Sequence, residues 1–131
     1  MRERSIIGKL GEDLSCEYLK HKGFRIISRN YRAKIGEIDI IGIDRDRTLV
    51  FFEVKTIKQS GNAATEKELA GLTPEDNMTK FKIQKVARTC ELFISENPKF
   101  ILEDRGWRID LIAVTLDSEN KPKFKHYENV F

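Results

Sequence analysis

The sequence predicts an α/β domain, a mixed sheet with helices packed against it. Three observations carry this expectation. A segment of helical period opens the chain, three strand-like runs follow it, and a second helical segment separates these from two further strand-like runs.

Residues 6–22 read as an amphipathic helix, because Ile7, Leu10, Leu14 and Tyr18 recur at helical spacing and Gly23 supplies a C-terminal stop. Residues 24–31 form an irregular first strand, and residues 37–43 a second after Gly36. Asp44-Arg45-Asp46-Arg47 is a polar turn, and residues 49–55, rich in β-branched and aromatic side chains, form the third strand and close a hairpin. Residues 56–77 are polar and broken by Gly61, Gly71 and Pro74, so they read as a functional loop or a partly disordered one. A second helix spans about 79–95, with Ile83, Val86, Ala87, Cys90 and Ile94 on one face and Pro98 beyond its end. Residues 107–116 form a fourth strand and 123–127 a short peripheral fifth.

The 131 residues suit one domain spanning the chain, and 40% hydrophobic residues suffice for a modest core. No apolar run approaches the roughly 20 residues of a membrane helix, and the charged N-terminus is unlike a secretion signal. Cys16 and Cys90 each fall in a helical pattern, far apart, and read as free buried thiols of a cytoplasmic protein. With His21 and His126 as the two histidines, a zinc site is not expected.

Chemistry concentrates at the end of the third strand. Glu53 and Lys55 share a face of a strand that is otherwise apolar on both sides, and an unpartnered buried charge costs several kcal/mol. A five-residue turn, 44–48, places Asp39 opposite Glu53, on a face with Glu37 and Ile41 and away from Ile38 and Ile40. Two carboxylates about 5 Å apart repel, and a divalent cation turns that repulsion into coordination. A cross-strand ion network of Asp39, Glu53 and Lys55 without catalysis fits the spacing equally well. Glu119-Asn120-Lys121 repeats the Glu-x-Lys spacing in a polar turn and is read as a coincidence.

Gly36-Glu37-Ile38-Asp39-Ile40-Ile41 followed by Val50-Phe51-Phe52-Glu53-Val54-Lys55-Thr56 resembles the signature of the YraN-like family. These are predicted endonucleases of the PD-(D/E)xK, restriction-endonuclease-like superfamily, distantly similar to archaeal Holliday-junction resolvases. Gly11-Glu12, Gly23-Phe24, Arg29-Asn30-Tyr31-Arg32, Lys80, Ala87, Leu92, Arg108-Ile109-Asp110 and Asn129-Val130-Phe131 extend the likeness over nearly the whole chain. The resemblance implies a restriction-endonuclease-like α/β fold, a mixed central sheet flanked by helices. It also implies Mg²⁺- or Mn²⁺-dependent hydrolysis of phosphodiester bonds in DNA, with branched or repair and recombination intermediates as substrates, and a homodimer as in resolvases.

Carried onto this sequence, the family's roles make Asp39 and Glu53 metal ligands, Lys55 the residue that orients or activates the attacking water, and Glu12 a third metal-binding acid projecting from the first helix toward the metals. Without the resemblance, Glu12 reads equally as a solvated flank carboxylate. Glu37 reads as a turn residue or an acid behind the ligands, and Asp110 as the structural partner of a basic residue. Relatives carry Arg two residues after the motif lysine, whereas Ile57 stands here with Lys58 next. Residues 1–35 hold nine Lys or Arg against four acids, and the second helix presents Lys80, Lys82, Lys85 and Arg88 before any acid. With Lys58, these four are the expected nucleic-acid contacts. A nucleic-acid-binding module without catalysis and a non-enzymatic scaffold are the alternative readings.

Overall fold

A computed structural model describes residues 3–101 and 105–131, with side chains from residue 6 onward; Met1 and Arg2 of the charged N-terminal run lie outside it. Helix α1 (Glu3–His21) leads into strands β1 (Arg25–Ala33), β2 (Gly36–Ile43) and β3 (Leu49–Lys58). Two helical turns, α2 (Glu66–Leu69) and α3 (Pro74–Asn77), precede helix α4 (Lys80–Glu96). A 3₁₀ turn (Pro98–Phe100) and strands β4 (Trp107–Leu116) and β5 (Pro122–Tyr127) complete the order.

The strands form one mixed sheet in the order β1-β2-β3-β4-β5, with β3 and β4 parallel and the other pairs antiparallel. This is the α/β architecture the sequence predicts. Central β3 is buried on both faces from Leu49 to Phe52, which is why its sequence is a continuous apolar run. One face packs on α1 through Leu19, Ile40, Val50, Phe52 and Ile112. The other packs on α4 through Ile41, Phe51, Ile83, Cys90 and Phe93. Both cysteines are free and buried, and no helix among the described residues is long and apolar enough to cross a membrane.

Helix α1 ends where Gly23 takes a left-handed φ of 100°. Within α1, Gly11 lets the helix approach β3 closely, since a Cβ there would collide with the Thr56 side chain. The 44–48 turn is held by Asp44, whose Oδ1 accepts the Asp46 and Thr48 N–H groups at 2.8 and 2.9 Å.

Two expectations need correction. Residues 56–77 are not a loop throughout. β3 continues to Lys58, and Thr65 and Thr73 cap α2 and α3 by accepting the N–H groups of Glu68 and Asp76. The caps make two local turns out of a stretch with no apolar period. Ile38 and Ile40 do not share a face either: Ile38 joins the α4 side and Ile40 the α1 side. The β1–β2 pairing runs from Arg29↔Ile40 to Tyr31↔Ile38 without pairing Asn30 with Asp39, and Asn30 is left-handed at φ 54°. The strict two-residue alternation assumed for the strand breaks at Asp39.

Candidate active site

The interruption at Asp39 shapes the site. The β2–β3 ladder runs from Ile43↔Leu49 to Ile40↔Phe52 and stops there; the next residues on the two strands are Asp39 and Glu53, which line one cleft. There the Val54 N–H donates to Asp39 Oδ2 at 2.8 Å, so a side chain replaces the next ladder bond and the strands part. A cleft of about 270 Å³ opens in the gap, lined by Glu37, Asp39, Glu53, Lys82, Lys85 and Thr89 among others. Asp39 and Glu53 therefore meet on the α4 side of the sheet.

Both carboxyl groups are desolvated. Burial, then the charge of Glu53, push Asp39 up to about 7 against the opposing Val54 N–H bond, with smaller contributions from Glu12 and Glu37. Burial also raises Glu53, opposed chiefly by Lys82 and less by Lys55. Lys82 Nζ lies 3.3 Å from Glu53 Oε1. It stands in the first turn of α4, where Thr79 caps the helix by accepting the Lys82 N–H. That turn contains no acid. Cations at a helix N-terminus oppose the macrodipole, so their placement answers to something outside the helix, here the carboxylates across the cleft.

The other expected site residues are distributed around this pair. Lys55 is two residues along β3 from Glu53 and lines a separate groove with Lys58 rather than the carboxylate cleft. Glu12 sits on α1 with 16% of its side chain exposed, 3.4 Å from Arg29, whose shorter contact, 2.6 Å, is to Asp13. Glu37 is exposed and 3.4 Å from Arg32. Of the expected phosphate contacts on α4, Lys82 and Lys85 line the cleft, while exposed Lys80 and Arg88 lie on other flanks of the helix. Lys82 as the partner of Glu53 is not evident from sequence. The available signal was the run of lysines at the start of a helix that has no acid in its first turn.

Among the described residues, no group of three or more His, Cys, Asp or Glu is gathered to hold a metal ion. The pair present still fits Mg²⁺ or Mn²⁺, because Mg²⁺ takes one or two carboxylates and completes its shell with waters and phosphate oxygens. Asp39 has one oxygen on Val54 and the other uncommitted among the described residues.

Asp110 is the structural residue its strand position suggests. It is fully buried and contacts Arg108 Nε at 3.0 Å, His126 Nε2 at 2.7 Å and the Asn129 N–H at 2.9 Å. Burial alone would raise its carboxyl, but the bonds from His126, Asn129 and Arg108 hold it below the ordinary range. Arg108 also reaches Asp44 at 2.9 Å, tying the hairpin turn to β4. Glu119-Asn120-Lys121 lies in the β4–β5 turn, with its backbone bonded to Asp117.

The model of the family described as "Uncharacterised protein family UPF0102" matches residues 11–114. A UPF0102 protein of Alkaliphilus oremlandii is 41% identical over 125 residues, covering 95% of this chain and 97% of the relative. One of Geobacter sulfurreducens is 34% identical over 126 residues, covering 96% and 88%. Among solved structures, a repair endonuclease from Pyrococcus abyssi matches at a TM-score of 0.45 and 16% identity, over 92% of this chain; the chain spans only 41% of that protein. SfsA of Pyrococcus furiosus, in complex with Ca²⁺, matches at 0.34 and 16% identity over 95% of this chain, which spans 63% of it.

Proposed function

The chain belongs to the UPF0102 family, the YraN-like family that its motifs resemble, and from that premise we propose that it is a metal-dependent nuclease hydrolysing phosphodiester bonds in DNA. The observation that carries the proposal is the meeting of two desolvated carboxylates, Asp39 and Glu53, in one cleft beside Lys82.

Asp39 and Glu53 would hold Mg²⁺ or Mn²⁺. Held there, such an ion would supply Lewis-acid polarisation of the phosphodiester and a more acidic water at neutral pH. The protein's own side chains do the remainder. The Val54 N–H fixes the Asp39 carboxylate against β3. Lys55, beside Glu53, faces the phosphate and offsets its charge as a compact, mobile cation. Lys82 and Lys85 draw the backbone toward the cleft, and Glu12 acts at longer range by raising Asp39. Branched or repair and recombination intermediates are the substrates the family resemblance favours.

A cleavage screen over duplex, branched and single-stranded DNA and over RNA tests this reading. The wild type should cut only with added Mg²⁺ or Mn²⁺, and Asp39→Asn or Lys55→Ala should lower the rate by about 10³-fold or more. Absence of metal-dependent cutting on every substrate contradicts it. One observation favours a second reading, a nucleic-acid-binding module without hydrolysis: the Lys82 ammonium already neutralises Glu53 in the way a cation would. Such a module should bind DNA in a salt-sensitive manner that survives Asp39→Asn and Lys55→Ala, with no cleavage.

A further inference from the structure

A second concavity, of about 470 Å³, lies at the C-terminal end of β3, beyond Glu53. Lys55, Ile57 and Lys58 of β3 form one wall, Lys67 and Glu68 of α2 the other, and Ile7 of α1 contributes an apolar edge. We propose that this groove binds the phosphodiester backbone of the nucleic acid whose cleavage Asp39 and Glu53 support, with Lys58 and Lys67 contacting phosphates from opposite walls. The proposal rests on the nuclease reading and extends it by naming where the substrate continues and which residue, Lys67, meets it there.

Three ammonium groups line this groove, and among the described residues none of the three has an ion-pair partner. The one acid in the wall is committed elsewhere. Glu68 Oε2 accepts the Ser60 N–H at 2.7 Å and Oε1 the Thr65 N–H at 2.9 Å. The Thr65 bond, with the Glu68 N–H donating to Thr65 Oγ1, makes a capping box, and the Ser60 bond ties the end of the β3 connection to α2, whose Lys67 lines the groove with Lys58. Three cations around one concavity repel each other, and an anion relieves that repulsion.

The arrangement suits a chain of phosphates better than a single small anion. Lys55 lines the groove and its charge reaches Glu53 in the cleft, so β3 carries the two concavities in succession along one strand. Cations then lie on both sides of the carboxylate pair, Lys82 and Lys85 on α4 and Lys55, Lys58 and Lys67 toward α2. A basic concavity of about 400 Å³ lined by Arg25, Arg47 and Lys99 offers a contrast. It lies by the start of β3, about 30 Å from Lys58 at the rise of a ten-residue strand, and no acid lines it.

The test measures affinity for a mixed-sequence DNA duplex with a single-stranded tail by fluorescence anisotropy, in EDTA, over a series of KCl concentrations. Each phosphate contact contributes about 0.9 to the slope of log affinity against log salt. Lys58→Ala with Lys67→Ala should lower the slope by about 1.8, while Arg25→Ala with Arg47→Ala should leave it unchanged. An unchanged slope in the lysine pair, an equal loss in the arginine pair, or a wild type that does not bind overturns the groove. Cleavage is read separately. Metal-dependent cutting with an unchanged lysine slope overturns the groove and keeps the nuclease, whereas the predicted slope loss without any cutting keeps the groove and overturns the nuclease.

Discussion

Asp110 and Asp39 are acids of one sheet in opposite circumstances. Asp110 is fully buried, yet Arg108, His126 and the Asn129 N–H surround it, and its carboxyl is held below the ordinary range. The Lys22 ammonium lies 2.8 Å from His126 Nδ1. An ammonium only donates, so Nδ1 accepts and Nε2 carries the proton given to Asp110. Asp39 is half-buried but has one backbone donor, and it faces a second carboxylate that helps push it up to about 7. Every contact at Asp110 stabilises its charge, whereas the contacts at Asp39 leave charge unrelieved. A sheet that satisfies one acid so fully has its shortfall at the other confined to one place, the place where the proposed metal site lies.

The largest expected effect lies on the satisfied side. Asp110→Ala leaves Arg108 without its buried partner and should cost about 3–5 kcal/mol in denaturant unfolding, while Asp39→Asn should cost nothing. Next comes metal. Mg²⁺ at tenfold over its Kd should stabilise the wild type by about 1.4 kcal/mol in thermal unfolding, and Asp39→Asn should abolish that gain. Without metal, Asp39→Asn should raise the denaturant midpoint at neutral pH, because it removes repulsion from Glu53 while its amide oxygen still accepts the Val54 N–H.

The pH dependence of stability separates the two acids by sign. Asp39 binds its proton more tightly folded than unfolded, so metal-free stability is greatest with it protonated and falls as pH rises from about 3.8 to about 7. Asp39→Asn should flatten that fall. Asp110 holds its proton less tightly folded than unfolded, so its contribution is present above the ordinary aspartate value of 3.8 and is lost as pH drops below it. Denaturant midpoints measured across this range read both slopes. The smallest effect is expected for Glu12→Gln, whose influence on Asp39 comes from a distance: the Asp39 titration should move down slightly with little change in stability.

The placement of Asp39 opposite Glu53 was legible in the sequence because it depends on local features. Five turn residues, opened by Asp44, set the hairpin register, and parity along two strands does the rest. The break in alternation at Asp39 was not legible, since it takes a left-handed Asn30 on the neighbouring strand to expose it. Helices α2 and α3 were missed for another reason. Their signals, Thr65 with Glu68 and Thr73 before Pro74, are capping residues without an apolar period. The pairing of Lys82 with Glu53 depends on how α4 lies across the sheet, which no local pattern encodes.

Asp39 and Glu53 are a desolvated pair that, under the nuclease reading, a divalent cation completes. Side-chain ¹³C NMR titration of the Asp39 carboxyl, with and without Mg²⁺, measures this directly. A midpoint near 7 is expected in metal-free protein, displaced to lower pH by Mg²⁺ because the ion competes with the proton. A midpoint in the ordinary aspartate range, unmoved by Mg²⁺, would contradict it.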